Sequence, residues 1–296
     1  MKEESAIPGG LGKNLPASQR RLVALLRQCS NALLMSVLLL LVCGLAWNYS
    51  THRYLKGFAD AIFPLDGSPQ EKTEGLLKWL RDGPHRASAP RAGLLSFSDR
   101  DAVDIVQNAR LLRICGSASN AFINLADVAD LRTRRLLLLT RFGGTMHVVA
   151  EVQWGERWVV VDPTFARVLE DRSGRALTKE ELRDPEVFRD AISRIPGYSP
   201  TYTFERTTHL HLERLPLLGV PLRRTLDRVW PGWEEAVDWG YVPENPSLWP
   251  ILASLPLLLL GSLIRLIVER YRSADSTNYA DYPLTQSAKS VEDRSA

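Results

Sequence analysis

Three side chains near the middle of the chain, Cys115, His147 and Asp162, have the types and the order that nucleophilic catalysis requires. A thiol attacks only as thiolate, so it needs a base to take its proton and surroundings that favour negative charge. Cys115 opens the small-residue segment Cys115-Gly116-Ser117-Ala118-Ser119, and Ala118, Ala121, Phe122, Leu125 and Val128 follow at helical spacing. This places the cysteine at a helix N-terminus, where unpaired backbone N–H groups and positive potential both favour thiolate. His147 lies inside a strand-like run from Thr145 to Trp154. Asp162 ends the next run, which starts at Arg157, and a short turn at Gly155-Glu156 joins the two. Adjacent antiparallel strands can bring an imidazole and a carboxylate into hydrogen-bond reach, fixing the tautomer that accepts the thiol proton.

The elements that must carry these residues are legible in outline. Tyr54, Leu55, Phe58 and Ile62 predict a helix stopped by Pro64, and Leu76, Leu77 and Leu80 predict another over 73–80. A Gly/Pro/Ser loop over 83–98 follows. Ser98 or Asp99 then caps a helix carrying Val103, Ile105, Val106, Ala109 and Leu112. A strand over 135–141 precedes the His147 strand, Thr178 with Glu181 reads as a capping box, and Thr201 to Leu212 alternates like a strand. Trp230 to Trp239 reads as an amphipathic element lying at a membrane. The fold class is α+β, a cysteine-bearing helix packed on an antiparallel sheet that bears the histidine and the aspartate.

With Cys115 and its small-residue helix, the blocks Gly144-Thr145-Met146-His147-Val148-Val149-Ala150-Glu151-Val152 and Trp158-Val159-Val160-Val161-Asp162-Pro163-Thr164 resemble the transglutaminase-like superfamily, in a membrane-anchored bacterial branch. The resemblance covers roughly residues 100–165. It implies a papain-like core with Cys115 as nucleophile, His147 as general base and Asp162 as its orienter. It also implies a thioester formed from an amide substrate and passed to water or an amine. Gln107 is the candidate by position for an oxyanion donor beside the Cys115 backbone N–H.

The chain around this core is set by two apolar stretches. Residues 28–51 and 245–264 carry no charged side chain, and each is long enough to cross a bilayer core of about 30 Å as a helix. Pro256 falls near the middle of the second, where a kink is expected. No small-x-small cleavage site follows the first, which argues for an anchor over a cleaved signal segment. Lys13, Arg20, Arg21 and Arg27 precede the first stretch, and Arg265, Arg270 and Arg272 close the second. The positive-inside rule then places both termini in the cytoplasm of an inner-membrane protein and the central domain outside, which is the periplasm if the source is a Gram-negative bacterium. The expected organisation is a tail over 1–27, a span over 28–51, the outer domain over 52–244, a span over 245–268 and a tail over 269–296, with 1–19 and 273–296 unstructured.

Composition narrows the function classes. The 296 residues carry 37 basic and 34 acidic side chains for a net charge of +3, too balanced for a nucleic-acid binder. Three cysteines make no disulfide scaffold. His209 and His211 alternate, but two ligands without a third do not make a metal site, and nothing calls for a cofactor. Neither span carries a charge in its interior, which disfavours proton or ion handling. Two readings remain: a membrane-tethered cysteine peptidase, amidase or acyl transferase acting on peptide or protein, and a non-catalytic membrane scaffold of the same fold. The scaffold would bind peptide or envelope glycan in a polymer-synthesis or export complex.

Overall fold

The computed structural model describes residues 17–63, 66–83, 101–108, 111–212, 217–236, 241–242 and 244–280. The chain divides into two compact units, one of residues 1–43 with 250–296 and one of residues 44–249.

The first unit contains the greater part of two long helices, α1 (Ala17–Asp60) and α8 (Leu248–Ala280). Within them, Arg21–Asp60 and Leu248–Arg270 are long and apolar enough to span a membrane. They touch closely where a side chain is missing: a Cβ on Gly261 would come within 2.8 Å of Leu34, so glycine allows the leucine to seat there. Helix α8 passes through Pro256 without ending. Both helices also outrun the expected boundaries. The segment predicted as a separate helix after the first span is the continuation of α1, and residues 273–280, expected to be unstructured, continue α8. Propagating an established helix costs far less than starting one, so polar residues extend it for several turns.

The second unit is α+β. A five-stranded antiparallel sheet runs in the order β4-β3-β2-β1-β5, with β1 Thr133–Leu139, β2 Thr145–Trp154, β3 Arg157–Asp162, β4 Arg167–Val168 and β5 Thr207–Thr208. The β2–β3 connection is the two-residue loop read from the sequence. Gly155 takes φ +63° at its first position, as a II′-type turn requires. One face of the sheet, with Ala150, Val152, Val159 and Val161, packs on α2 (Pro69–Asp82), α3 (Ala102–Gln107) and α4 (Cys115–Asp127) through Leu76, Leu80, Ile105, Phe122 and Leu125. The other face, with Leu136, Leu138, Val149 and Val160, packs on Leu169, Leu177, Leu182, Phe204 and Phe188 of α5 (Pro185–Ile192). Burial on both faces explains why Val159-Val160-Val161 is apolar without alternation.

Several boundaries differ from expectation. The cap of α3 is Asp101, whose carboxylate accepts from the backbone of Val103 and Asp104; Ser98, Asp99 and most of the predicted 83–98 loop lie outside the described residues. That helix ends at Gln107, and a single 3₁₀ turn over Leu111–Arg113 leads into α4. Thr178 and Glu181 do exchange capping-box hydrogen bonds, at 3.3 and 2.8 Å, but only a 3₁₀ turn follows before Asp184 caps α5. The strand expected over 201–212 shrinks to β5, because Tyr202 and Phe204 turn inward against the second core. In the expected membrane-lying element, Trp233 in α7 (Trp233–Ala236) is only 1% exposed, buried in its own domain, and residues 237–240 lie outside the described residues.

Candidate active site

Helix α4 begins at Cys115 with no side-chain cap on its N-cap residue, Ile114. A serine or aspartate there would occupy the first free backbone N–H groups; without one they remain available to the cysteine sulfur. The Gly116 and Val148 backbone N–H groups both donate to Cys115 Sγ. The register of helix against strand is set one turn further on, where the Ser119 hydroxyl donates to the Val148 carbonyl at 3.0 Å inside the core. Ser119 follows Cys115 by four residues and Val148 follows His147 by one, so this bond holds thiol and imidazole side by side. Ala118 and Ser119, both fully buried, are small enough to allow that close approach.

His147 sits on β2, buried, with Nε2 bonded to Asp162 Oδ2 at 2.7 Å. Asp162, at the end of β3, is fully buried. Its other oxygen accepts from the backbone N–H groups of Thr164 and Phe165 at 2.9 and 3.2 Å, a turn that locks the carboxylate in place. With Nε2 taken, Nδ1 is the ring nitrogen left for Cys115, the imidazole's other hydrogen-bond partner. Burial lowers the affinity of His147 for its proton, but the hydrogen bonds and charges of Asp162 and Cys115 outweigh it and push the pKa up to about 9. Burial likewise raises the Cys115 thiol. The hydrogen bond and charge of His147, joined by the two backbone N–H groups, overcome this and leave the thiol below its ordinary value. Both shifts run in the direction that favours a thiolate–imidazolium pair. Cys115 is only partly buried, and a Cβ on Gly116 would meet open space, so the sulfur can be approached.

Sequence reasoning missed the aromatic surround of His147. Tyr202 stacks on the imidazole at 4.2 Å and 6°, while Phe165 and Tyr198 stand edge-on at 6.1 Å. A π-face against an imidazolium favours the protonated ring. The Tyr198 phenol is held neutral by burial first and by the field of Asp162 second. A signal exists in Tyr198-Ser199-Pro200-Thr201-Tyr202, two tyrosines four apart around a proline, of which only Thr201 and Tyr202 fall in the expected strand. Gln107, the candidate oxyanion donor, is exposed and gives its amide to Tyr54 Oη at 3.2 Å.

A second buried histidine stands just past the end of β5. His209 Nε2 bonds Glu151 Oε2 at 2.7 Å, and Arg134 Nε reaches the same oxygen at 2.7 Å. The Arg134 guanidinium also lies 4.1 Å over the Trp158 ring. His209 is thus held by a carboxylate and an arginine, and among the described residues no group of three or more His, Cys, Asp or Glu could hold a metal. Compared with protein-family models, with curated proteins and with solved structures, the chain matches none of them.

Proposed function

We propose that this chain is a membrane-tethered cysteine enzyme with a transglutaminase-like core, cleaving or transferring the acyl group of amide bonds through a thioester on Cys115. The observation that carries this is the line from sulfur to imidazole to buried carboxylate, with both backbone and ring donors aimed at the thiolate. In this reading Cys115 Sγ adds to the amide carbonyl, and His147 gives its Nδ1 proton to the leaving nitrogen as the C–N bond breaks. The acyl group stays on sulfur. His147, now neutral, takes a proton from an incoming water or amine, which adds to the thioester carbonyl and releases the product and the thiolate. Asp162 holds the ring's orientation through Nε2 and stabilises the imidazolium. The substrate class is peptide or protein amide. The helices α1 and α8 are the proposed spans, with both termini cytoplasmic and the sheet domain outside.

The test is alkylation of Cys115 by iodoacetamide against pH in the full chain, read by mass spectrometry on the Cys115 peptide so that Cys29 and Cys43 do not contribute. A midpoint well below the free-thiol value of about 8.5, rising in His147→Ala, is the expected result. Slow labelling with an ordinary midpoint in both proteins overturns the enzyme and leaves the scaffold reading, in which the same fold binds peptide or envelope glycan without turnover.

A further inference from the structure

Helix α6 (Gly219–Val229) is amphipathic but faces the wrong way for a helix of a water-soluble domain. Leu218, Leu222, Leu226 and Val229 share one stripe at helical spacing, and Arg223 and Asp227 share another. The polar stripe is the one tied to the domain. Arg223 pairs with Glu234, which also accepts from the Thr208 hydroxyl at 3.0 Å, and Asp227 accepts from the indole N–H of buried Trp233 at 2.9 Å. Most of the apolar stripe is left in solvent, with Leu218 67%, Leu222 41% and Val229 75% exposed and Leu226 half-buried. At its start Leu217 is 95% exposed and sits at φ +66°, a conformation leucine rarely adopts. At its end Trp230 is also exposed. A contiguous apolar patch of this kind marks a surface that something covers.

We infer that α6 is an interfacial helix by which the sheet domain rests on a bilayer bearing anionic headgroups. The leucines and Val229 enter the boundary of the acyl chains. Three features select lipid over a second protein. Arg224 and Arg228, four residues apart and away from the leucine stripe, are exposed and make no ion pair among the described residues, leaving two long cationic side chains to reach headgroup phosphates. Trp230 closes the helix with an amphipathic ring of the kind that collects at headgroup level. Finally, only residues 230–247 connect α6 to α8, which is long and apolar enough to span, so a bilayer entered by α8 stays within about 60 Å of α6. Such a tether keeps even a modest interfacial contact populated. Because α6 and α4 belong to one unit, seating α6 fixes which way Cys115 faces. This inference rests on the membrane-spanning part of the proposed function and not on the chemistry of Cys115.

The experiment uses the full chain with Cys29, Cys43 and Cys115 changed to serine and a nitroxide on Leu222→Cys or, as a water reference, on Arg172→Cys, whose native side chain is 85% exposed. The proteins are reconstituted in phosphatidylcholine vesicles containing phosphatidylglycerol and floated after an alkaline wash. In floated vesicles the label at 222 should collide several-fold more with oxygen than with a water-soluble nickel complex, relative to the label at 172. That preference should disappear when Leu218 and Val229 are both changed to glutamate. Equal water access at 222 and 172 in floated vesicles overturns the inference and leaves the spans standing. A label at 222 shielded from both oxygen and nickel means that protein covers α6, and overturns it as well. A chain that does not float overturns the spans and the inference together, whereas the enzyme reading is decided separately by Cys115 alkylation.

Discussion

His147 and His209 each bond a buried carboxylate oxygen at 2.7 Å on the same sheet, and only one of them serves a thiol. His147 and Glu151 lie four residues apart on β2 and so project from one face, with Val149 between them. At the Glu151 end, Arg134 shares the very oxygen that His209 uses, and the guanidinium lies over the Trp158 ring. Glu151 is held below the ordinary carboxylate range: burial raises it, and the hydrogen bond of His209 with the charge of Arg134 overrides that. At the Asp162 end no arginine intervenes. The second carboxylate oxygen is satisfied by backbone N–H groups, so the full charge of Asp162 acts on the imidazole, whose remaining nitrogen meets a partly exposed sulfur. A histidine bonded to a carboxylate is thus common to a fastening and to the proposed catalytic centre. The difference lies in what else neutralises the carboxylate and in whether a nucleophile with an opening stands on the far side of the ring.

Several changes would break or sharpen that contrast. The largest effect is expected from His147→Ala, which should slow Cys115 alkylation at pH 6 on the order of 10- to 100-fold, while His209→Ala leaves it within about twofold. Equal slowing in both variants would show that the two pairs act as one network. Next, Glu151→Gln should lose about 3–5 kcal/mol in denaturant titration of the detergent-solubilised chain, since it leaves the Arg134 charge buried without its partner. The Cys115 alkylation midpoint of the still-folded protein should stay where it was; a shift would mean that the fastening tunes the site.

The pH dependence follows from the direction of each shift. His147 holds its proton more tightly folded, at about 9 against an ordinary 6.5, so its contribution to stability is complete below 6.5 and is lost as pH rises through about 9. Cys115 runs the other way. Its thiol is lowered in the fold, so its contribution is present above the unfolded thiol value and lost as pH falls through the folded one. Between the two limits the ion pair persists, and turnover of an amide substrate should decline on the alkaline side near 9 as the imidazolium loses its proton. A profile flat through that region would place the acid elsewhere.

Two smaller effects probe how the site is positioned. Ser119→Ala removes the bond to the Val148 carbonyl and should cost about 1–3 kcal/mol of stability. It should also raise the Cys115 midpoint, which a purely structural hydroxyl would leave unmoved. Tyr202→Leu should be mildest, about 1 kcal/mol of imidazolium stabilisation, seen as a downward shift of less than one unit in the alkaline limb. An upward shift would mean that the ring's desolvation of His147 outweighs its π-face.

Local pattern determined a good deal by itself. The small-residue run after Cys115, the hairpin between Trp154 and Arg157, the turn at Asp162-Pro163 and the two apolar stretches are all written in residues close together in the chain. Helical periodicity, turn chemistry and hydrophobic length act over a few residues, so they survive without knowledge of the fold. Tertiary structure decided the rest. It paired Ser119 with Val148, brought Tyr198 and, from a segment that reads as strand, Tyr202 against His147, and gave His209 to Glu151. It also turned the leucine stripe of α6 outward, although amphipathic periodicity alone would bury it. Each of these depends on groups distant in sequence competing for one partner or one patch of core, and periodicity records that a residue wants a partner without naming which partner it finds.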